Sequence, residues 1–297
     1  MSVVPGPLRD VVGYNGAPPQ VTWPGGARVA VAVTVHYVEG SERAIGNGDP
    51  FRETGWYAPD RTAERDLAVE TMWEYGARAG LWRLLDALQE YRIAATFFAS
   101  AVALEKNPDA ARALRPRGHE VAAYGYRYED PRDFTRDQEA ERIALAVESI
   151  TRTTGERPVG WYSRTSPSIH TRELLVAEGG FVYDSDSYAD DLPYWTPVAG
   201  GRHLVVPTTL ADSDLHFEDK WFGSPSDFER QLTSTFDRLH QEGATSPKLM
   251  TIGLHPYVGG HPGRVQALTN ALDHIADVGG AWFARRADIA RCWKDLT

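Results

Sequence analysis

Apolar residues recur along this chain in two rhythms. Arg28 to His36, RVAVAVTVH, is a continuous β-branched run suited to a strand buried on both faces. Leu81, Leu84, Leu85 and Leu88 then repeat at helical spacing before a second apolar run, IAATFF. Together they make a strand-helix-strand unit. Further strand candidates are HEVAAY, RPVGW, FVYD, HLVVP, KLMTIGLH and GGAWFA, separated by helical patterns such as Phe228, Leu232, Phe236 and Leu239. Val265 to Asp277 reads as another helix. Such alternation places parallel strands under a cover of helices, either as a barrel or as an open doubly wound sheet.

The alternation runs without a low-complexity linker. One domain is expected over residues 25–297, preceded by a Gly- and Pro-rich arm at residues 1–24. From Gly40 to Met72 lies a polar insert with little periodicity. A connection of that length is usually a functional lid, an oligomer contact or disorder, and its mixture of aromatic and charged residues favours ordered contact over disorder.

Charge and cysteine content narrow the function. The 297 residues carry a net charge of -10, which offers no basic stripe to a nucleic acid or an anionic membrane. The one cysteine, Cys292, excludes an intrachain disulfide framework and a CxxC metal site, and it is expected to pack in the last helix of a cytoplasmic protein. No basic-then-apolar leader opens the chain, and no window holds about 18 uninterrupted apolar residues. No GxGxxG or GxxxxGK[ST] phosphate loop follows a strand. A small-molecule substrate is the partner class that remains.

The candidate chemistry lies just after the strands. VTVHYVEGSE, HEVAAYGYRYED and TIGLHP each follow an apolar run with polar residues, which would converge at the carboxyl ends of a barrel. Glu39 and Glu42 put two carboxylates at that mouth, and a shielded carboxylate has a raised pKa suited to proton transfer. His255 precedes a strand-ending proline and brings an imidazole to the same rim. His36 is read as a packed or hydrogen-bonded histidine at a strand end. Arg264 could meet a substrate carbonyl or carboxylate, or else an acid between Asp184 and Asp191. In GWYSR and YDSDSYADDLPYW, Trp161, Tyr162, Arg164 and Trp195 could wall a small pocket. Carboxylates two apart in the second segment could hold a divalent ion, but they are as often Asx turns.

Taken in order, VHYVEGSE, EYGARAGLWRLL, GHEVAAYGYRY, YDSDSYADDLPYW and LHPYVGGHPGR resemble the polysaccharide deacetylase family, over about Trp23 to Trp293. The likeness is greatest to a subgroup with metal-independent allantoinases and cyclic imide hydrolases. It implies an α/β fold, a single-domain deformed (β/α) barrel of about seven strands, and hydrolysis of carbon–nitrogen bonds other than peptide bonds. It also implies a homo-oligomer, with a tetramer favoured. The family's paired aspartates, base then metal ligand, fall by position on Val38 and Glu39, and its two metal-binding histidines fall on Tyr124 and Tyr128. A neutral phenol is a poor zinc ligand, so neither metal nor other cofactor is expected. Glu39 and His255 are then the expected catalytic pair, and the family's histidine at the latter position helps protonate the departing amine. Tyr124, Arg127, Tyr128, Trp161, Arg164, Trp195 and Arg264 are expected to bind substrate. The alternative is a catalytically silent binding protein that retains the barrel pocket.

Overall fold

The computed structural model describes residues 6–53, 63–198 and 200–296. Among them, nine strands form one sheet: β1 (Val29–Tyr37), β2 (Thr96–Ala99), β3 (Glu120–Ala123), β4 (Gly160–Trp161), β5 (Tyr183–Asp184), β6 (Tyr194–Val198), β7 (Gly201–Val205), β8 (Lys248–Leu254) and β9 (Ala281–Phe283). Their order is β6-β7-β5-β4-β3-β2-β1-β8, with β9 paired to the lower part of β1. All neighbours are parallel except β6 and β7, which form an antiparallel hairpin. Beyond β8 the barrel is completed by irregular backbone, where Ser213 bridges Gly253 and Gly253 N–H donates to the Asp212 carbonyl at 3.1 Å.

Every expected apolar run carries a strand; β6 is the addition. Its sequence, YWTPV, contains Pro197, which has no N–H for a ladder and is tolerated because the strand lies at the sheet's edge. The helices are α1 (Leu67–Tyr75), α2 (Leu81–Glu90), α3 (Ala101–Lys106), α4 (Pro108–Leu114), α5 (Arg136–Thr154), α6 (Thr171–Glu178), α7 (Pro225–Glu242), α8 (Pro256–Gly259), α9 (Pro262–Val278) and α10 (Arg286–Leu296). A π-helical turn, Gly76–Gly80, joins α1 to α2. In α2 the 3.6-residue rhythm buries Leu81, Leu84, Leu85 and Leu88 completely. Each such leucine contributes roughly 1.5–3 kcal/mol.

Strand parity decides which side chains reach the barrel interior. On β1, Val29, Val31, Val33, Val35 and Tyr37 pack outward against the helices. Ala30 and Ala32 point the other way, into a second cluster with Trp23, Tyr183, Leu204 and Trp293 that fills the barrel's lower end. Two residues further on each time, the same inner face presents Thr34, then His36. The interior thus changes from apolar at the bottom to aromatic and ionisable at the carboxyl ends.

Nine residues of the polar insert, 54–62, lie outside the described residues. Its flanks lie against the carboxyl-end loops. Asp49 receives Arg127, Glu53 receives Arg164, and Asp66 caps α1 through the Ala68 and Val69 N–H groups. Cys292 is half-buried in α10. No helix among the described residues is long and apolar enough to cross a membrane.

Candidate active site

His255 follows β8 directly and is held by Asp214, which lies in a short 3-10 turn, Asp214–Phe217. Oδ1 of Asp214 sits 2.7 Å from His255 Nδ1, and Oδ2 accepts the His255 backbone N–H, also at 2.7 Å. A carboxylate that accepts both fixes the ring and leaves the proton on Nδ1, so Nε2 is the nitrogen presented for chemistry. Asp214 itself is fully buried. His36, reaching in from β1, stacks on His255 with centroids 4.5 Å apart and planes 10° apart. The structure thus moves His36 from strand-end packing into the centre of the site.

Around these imidazoles stands an aromatic wall. Tyr124 and Tyr162 each meet the His36 ring edge-on at 5.4 Å, stack on each other at 5.2 Å, and share a cluster with Phe98. Tyr128 meets Tyr124 at 5.6 Å, and the Tyr162 hydroxyl pairs with that of Tyr188 at 2.7 Å. Burial, followed by neighbouring phenols, holds Tyr124 and Tyr162 well above the usual tyrosine range, and burial also raises Tyr128. All three are neutral hydrogen-bonding groups at physiological pH.

Glu39 enters from the loop after β1. Its two oxygens accept the N–H groups of Val38 at 3.0 Å and Tyr257 at 3.2 Å, the second tying it to the His255 loop. Only 2% of the residue is exposed, and burial pushes its carboxyl up to about 8 against the lowering effect of those N–H groups. The GARAG turn makes this approach possible. A Cβ on Gly76 would overlap the Glu39 carboxylate, and one on Gly80 would overlap the Pro256 carbonyl. Two glycines four residues apart therefore let the π turn lie directly on α8. Glu42 accepts the Gly40 N–H at 2.5 Å, and burial raises its carboxyl as well.

The expected binding residues divide. Arg164 lies 4.1 Å over the Tyr128 ring, donates to the Tyr128 carbonyl and pairs with Glu53, so it braces the phenol wall. Arg127 pairs with Asp49 at 2.8 Å, and Arg264 sits over Phe217 while donating to the Val258 carbonyl. Both arginines shape the loops around the site through these partners. The structure does not bring Trp161 or Trp195 to this rim. Trp161 has the outward parity on β4 and packs edge-on against Phe181 in the main core, while its inward neighbour Tyr162 joins the aromatic cluster beside His36. Trp195 belongs to the edge hairpin, where its ring lies under Arg202. In the acidic segment Asp184 pairs with Arg172, and Asp184 and Asp190 accept the backbone N–H two residues on. That is the Asx-turn pattern.

The same geometry tests the zinc site that the resemblance implies. Tyr124 and Tyr128 are neutral phenols at the two histidine positions, and burial keeps the Glu39 carboxyl protonated up to about 8. Among the described residues no three His, Cys, Asp or Glu side chains are grouped to hold a metal ion. This donor set does not fit a catalytic zinc, which usually takes three protein ligands from those types.

Asp214, Glu218 and Tyr257 are site residues that sequence reasoning did not single out. Tyr257 bonds Glu218 through its hydroxyl at 3.1 Å, and Trp73 lies over the Tyr257 ring at 4.2 Å. Tyr257 could have been taken from its place two residues after His255. Asp214, in ADSDLHF, carries no local signal, because its partner lies 41 residues away.

Comparison with known proteins agrees with this architecture. Residues 62–175 match the polysaccharide deacetylase family profile. A putative polysaccharide deacetylase of Schizosaccharomyces pombe is 33% identical over 310 residues, covering 96% of this chain and 97% of that protein. The crystal structure of a probable polysaccharide deacetylase from Pseudomonas aeruginosa PAO1 is 41% identical, with a TM-score of 0.92 over 97% of this chain and 98% of that one. The crystal structure of Puue allantoinase is likewise 41% identical, with a TM-score of 0.92 over 97% of both chains.

Proposed function

The chain belongs to the polysaccharide deacetylase family, and from that premise we propose that it hydrolyses a carbon–nitrogen bond, other than a peptide bond, in a small cyclic amide, imide or N-acetyl compound. The observation that carries this reading is the His255–Asp214 pair at the carboxyl end of β8, facing neutral phenols and joined through Tyr257 to a proton-accepting Glu39. The likeness to an allantoinase over the full chain favours ring substrates within that class.

Hydrolysis of an amide requires water to add to the carbonyl carbon and a proton to reach the departing nitrogen. Glu39, ionised, takes a proton from the attacking water as the carbon–oxygen bond forms. The carbonyl π electrons move onto oxygen, giving a tetrahedral oxyanion. When that oxyanion collapses, the carbon–nitrogen bond breaks and the protonated His255 delivers its Nε2 proton to nitrogen, with Asp214 holding the imidazolium. For a ring substrate the product is a single opened chain bearing a new carboxylate. This path uses side chains alone, in keeping with a donor set unsuited to zinc.

The same reading makes the protein a cytoplasmic homo-oligomer, with a tetramer favoured. The single cysteine supports the compartment, the length of the insert supports the assembly, and light scattering at micromolar concentration tests the latter. The deciding test of function is a panel of allantoin, hydantoins, succinimide-type imides and N-acetylated sugars, assayed with and without chelator. Turnover that survives chelation on any one of them supports the proposal. Stoichiometric binding of a ring compound with no turnover across the panel would overturn it in favour of a silent binding protein.

A further inference from the structure

The mechanism leaves one centre without a partner: the negative charge that develops on the carbonyl oxygen. We infer that His36 supplies the hydrogen bond to that oxygen through Nε2–H, so that a neutral imidazole serves as the electrophile of the site. The inference rests on the hydrolase reading above and assigns a catalytic residue to it.

Three features of the geometry carry it. First, His36 Nδ1 is sealed from solvent and has no hydrogen-bond partner, whereas Nε2 is not among the sealed unpartnered atoms. Nε2 has no protein partner among the described residues, so the small exposed fraction of His36, 6% of the residue, lies away from Nδ1. Second, a neutral imidazole carries one N–H. A buried N–H without an acceptor is rarer and more costly than an unfilled lone pair, which places the proton on Nε2. Third, the ring is locked: it stacks on His255 and is enclosed by Phe98, Tyr124 and Tyr162. An N–H held in this way needs no reorganisation when charge appears on the substrate, which is the condition under which such a donor is most effective.

The surroundings also keep the ring neutral. Burial, then His255, then the fully buried Arg286 hold His36 well below the usual histidine range. Arg286 is fastened beneath it by Ser185, Thr251 and the carbonyls of Val206 and Pro207. With His36 neutral, the stacked His255 is the imidazole free to carry the proton that is passed to nitrogen. The stack thereby separates the two roles.

The test compares His36→Leu and His36→Asn with the wild type on a substrate from the panel, alongside histidine side-chain nitrogen NMR. His36→Leu is expected to lower kcat about a hundredfold or more with little change in KM, the loss expected for one oxyanion donor. His36→Asn, which retains an N–H, is expected to recover part of that loss. The NMR spectrum, with His36 assigned by its absence in His36→Asn, is expected to show the Nε2–H neutral tautomer from pH 5 to 8. Unchanged kcat in His36→Leu, or an Nδ1–H or cationic His36, would overturn the inference. A wild type without turnover would instead overturn the hydrolase proposal, and the tautomer would still be decided by NMR.

Discussion

Substitution of Glu39 by Gln links stability to turnover through one buried proton. The carboxyl is 2% exposed and ionises near 8 in the folded chain, where burial outweighs the two backbone N–H groups it accepts; unfolded, it ionises near 4.5. Between those values the folded chain holds a proton that the unfolded chain has lost. Rising pH therefore destabilises the wild type, by about 1.4 kcal/mol for each pH unit in that window. Over an interval of roughly 3.5 units the total is about 5 kcal/mol, complete once the pH exceeds the folded value. A glutamine side chain cannot ionise, so the variant lacks this slope. Its amide places an N–H against one of the two backbone donors, a cost that does not vary with pH. Denaturant unfolding of both proteins at pH 5, 6, 7, 8 and 9, at constant ionic strength, measures the difference in unfolding free energy. That difference is expected to shift in favour of Glu39→Gln from pH 5 to 8 and to level off above. In parallel, the ascending limb of the wild-type kcat/KM profile is expected to follow ionisation of Glu39, and Glu39→Gln is expected to lose that limb together with about a hundredfold or more in turnover. A difference in stability that is flat across the series would refute the buried-proton argument. Full turnover in the variant would refute the base assignment.

Asp214→Asn keeps the shape of the side chain but removes the charge that stabilises the His255 imidazolium, so kcat should fall at least about a hundredfold, the lower end of lost acid–base assistance, in steady-state assays of any turned-over substrate. Gly80→Ala places a methyl group against the Pro256 carbonyl, where backbone must yield; a loss of about 1–3 kcal/mol in denaturant unfolding is expected, and an unchanged midpoint would contradict the close approach of the π turn to α8. Elemental analysis after dialysis against a mild chelator should find no stoichiometric zinc, because neutral Tyr124 and Tyr128 stand at the histidine positions. About one zinc per chain would refute that reading.

The elements of this fold were legible because their causes are local. The β-branched run at β1, the leucines of α2 and the aromatic rhythm of α7 each express a period of one face against another, and that period is written in neighbouring residues. The loop positions of Glu39, Tyr124 and His255 followed from the same reading, since each comes just after an apolar run. Other features required the assembled barrel. Parity separates inward Tyr162 from outward Trp161, but only the curvature of the assembled barrel says which side is the interior. Asp214 reaches His255 because irregular backbone after β7 runs beside β8, a pairing that leaves no periodic trace. His36 shows its role only where β1 and β8 bring two imidazoles face to face, and Arg127 and Arg164 acquire their acids, Asp49 and Glu53, from the described flank of the insert. Local periodicity selects strands and helices; ionisation and partner choice depend on burial and on contacts between distant segments, which exist only once the barrel has formed.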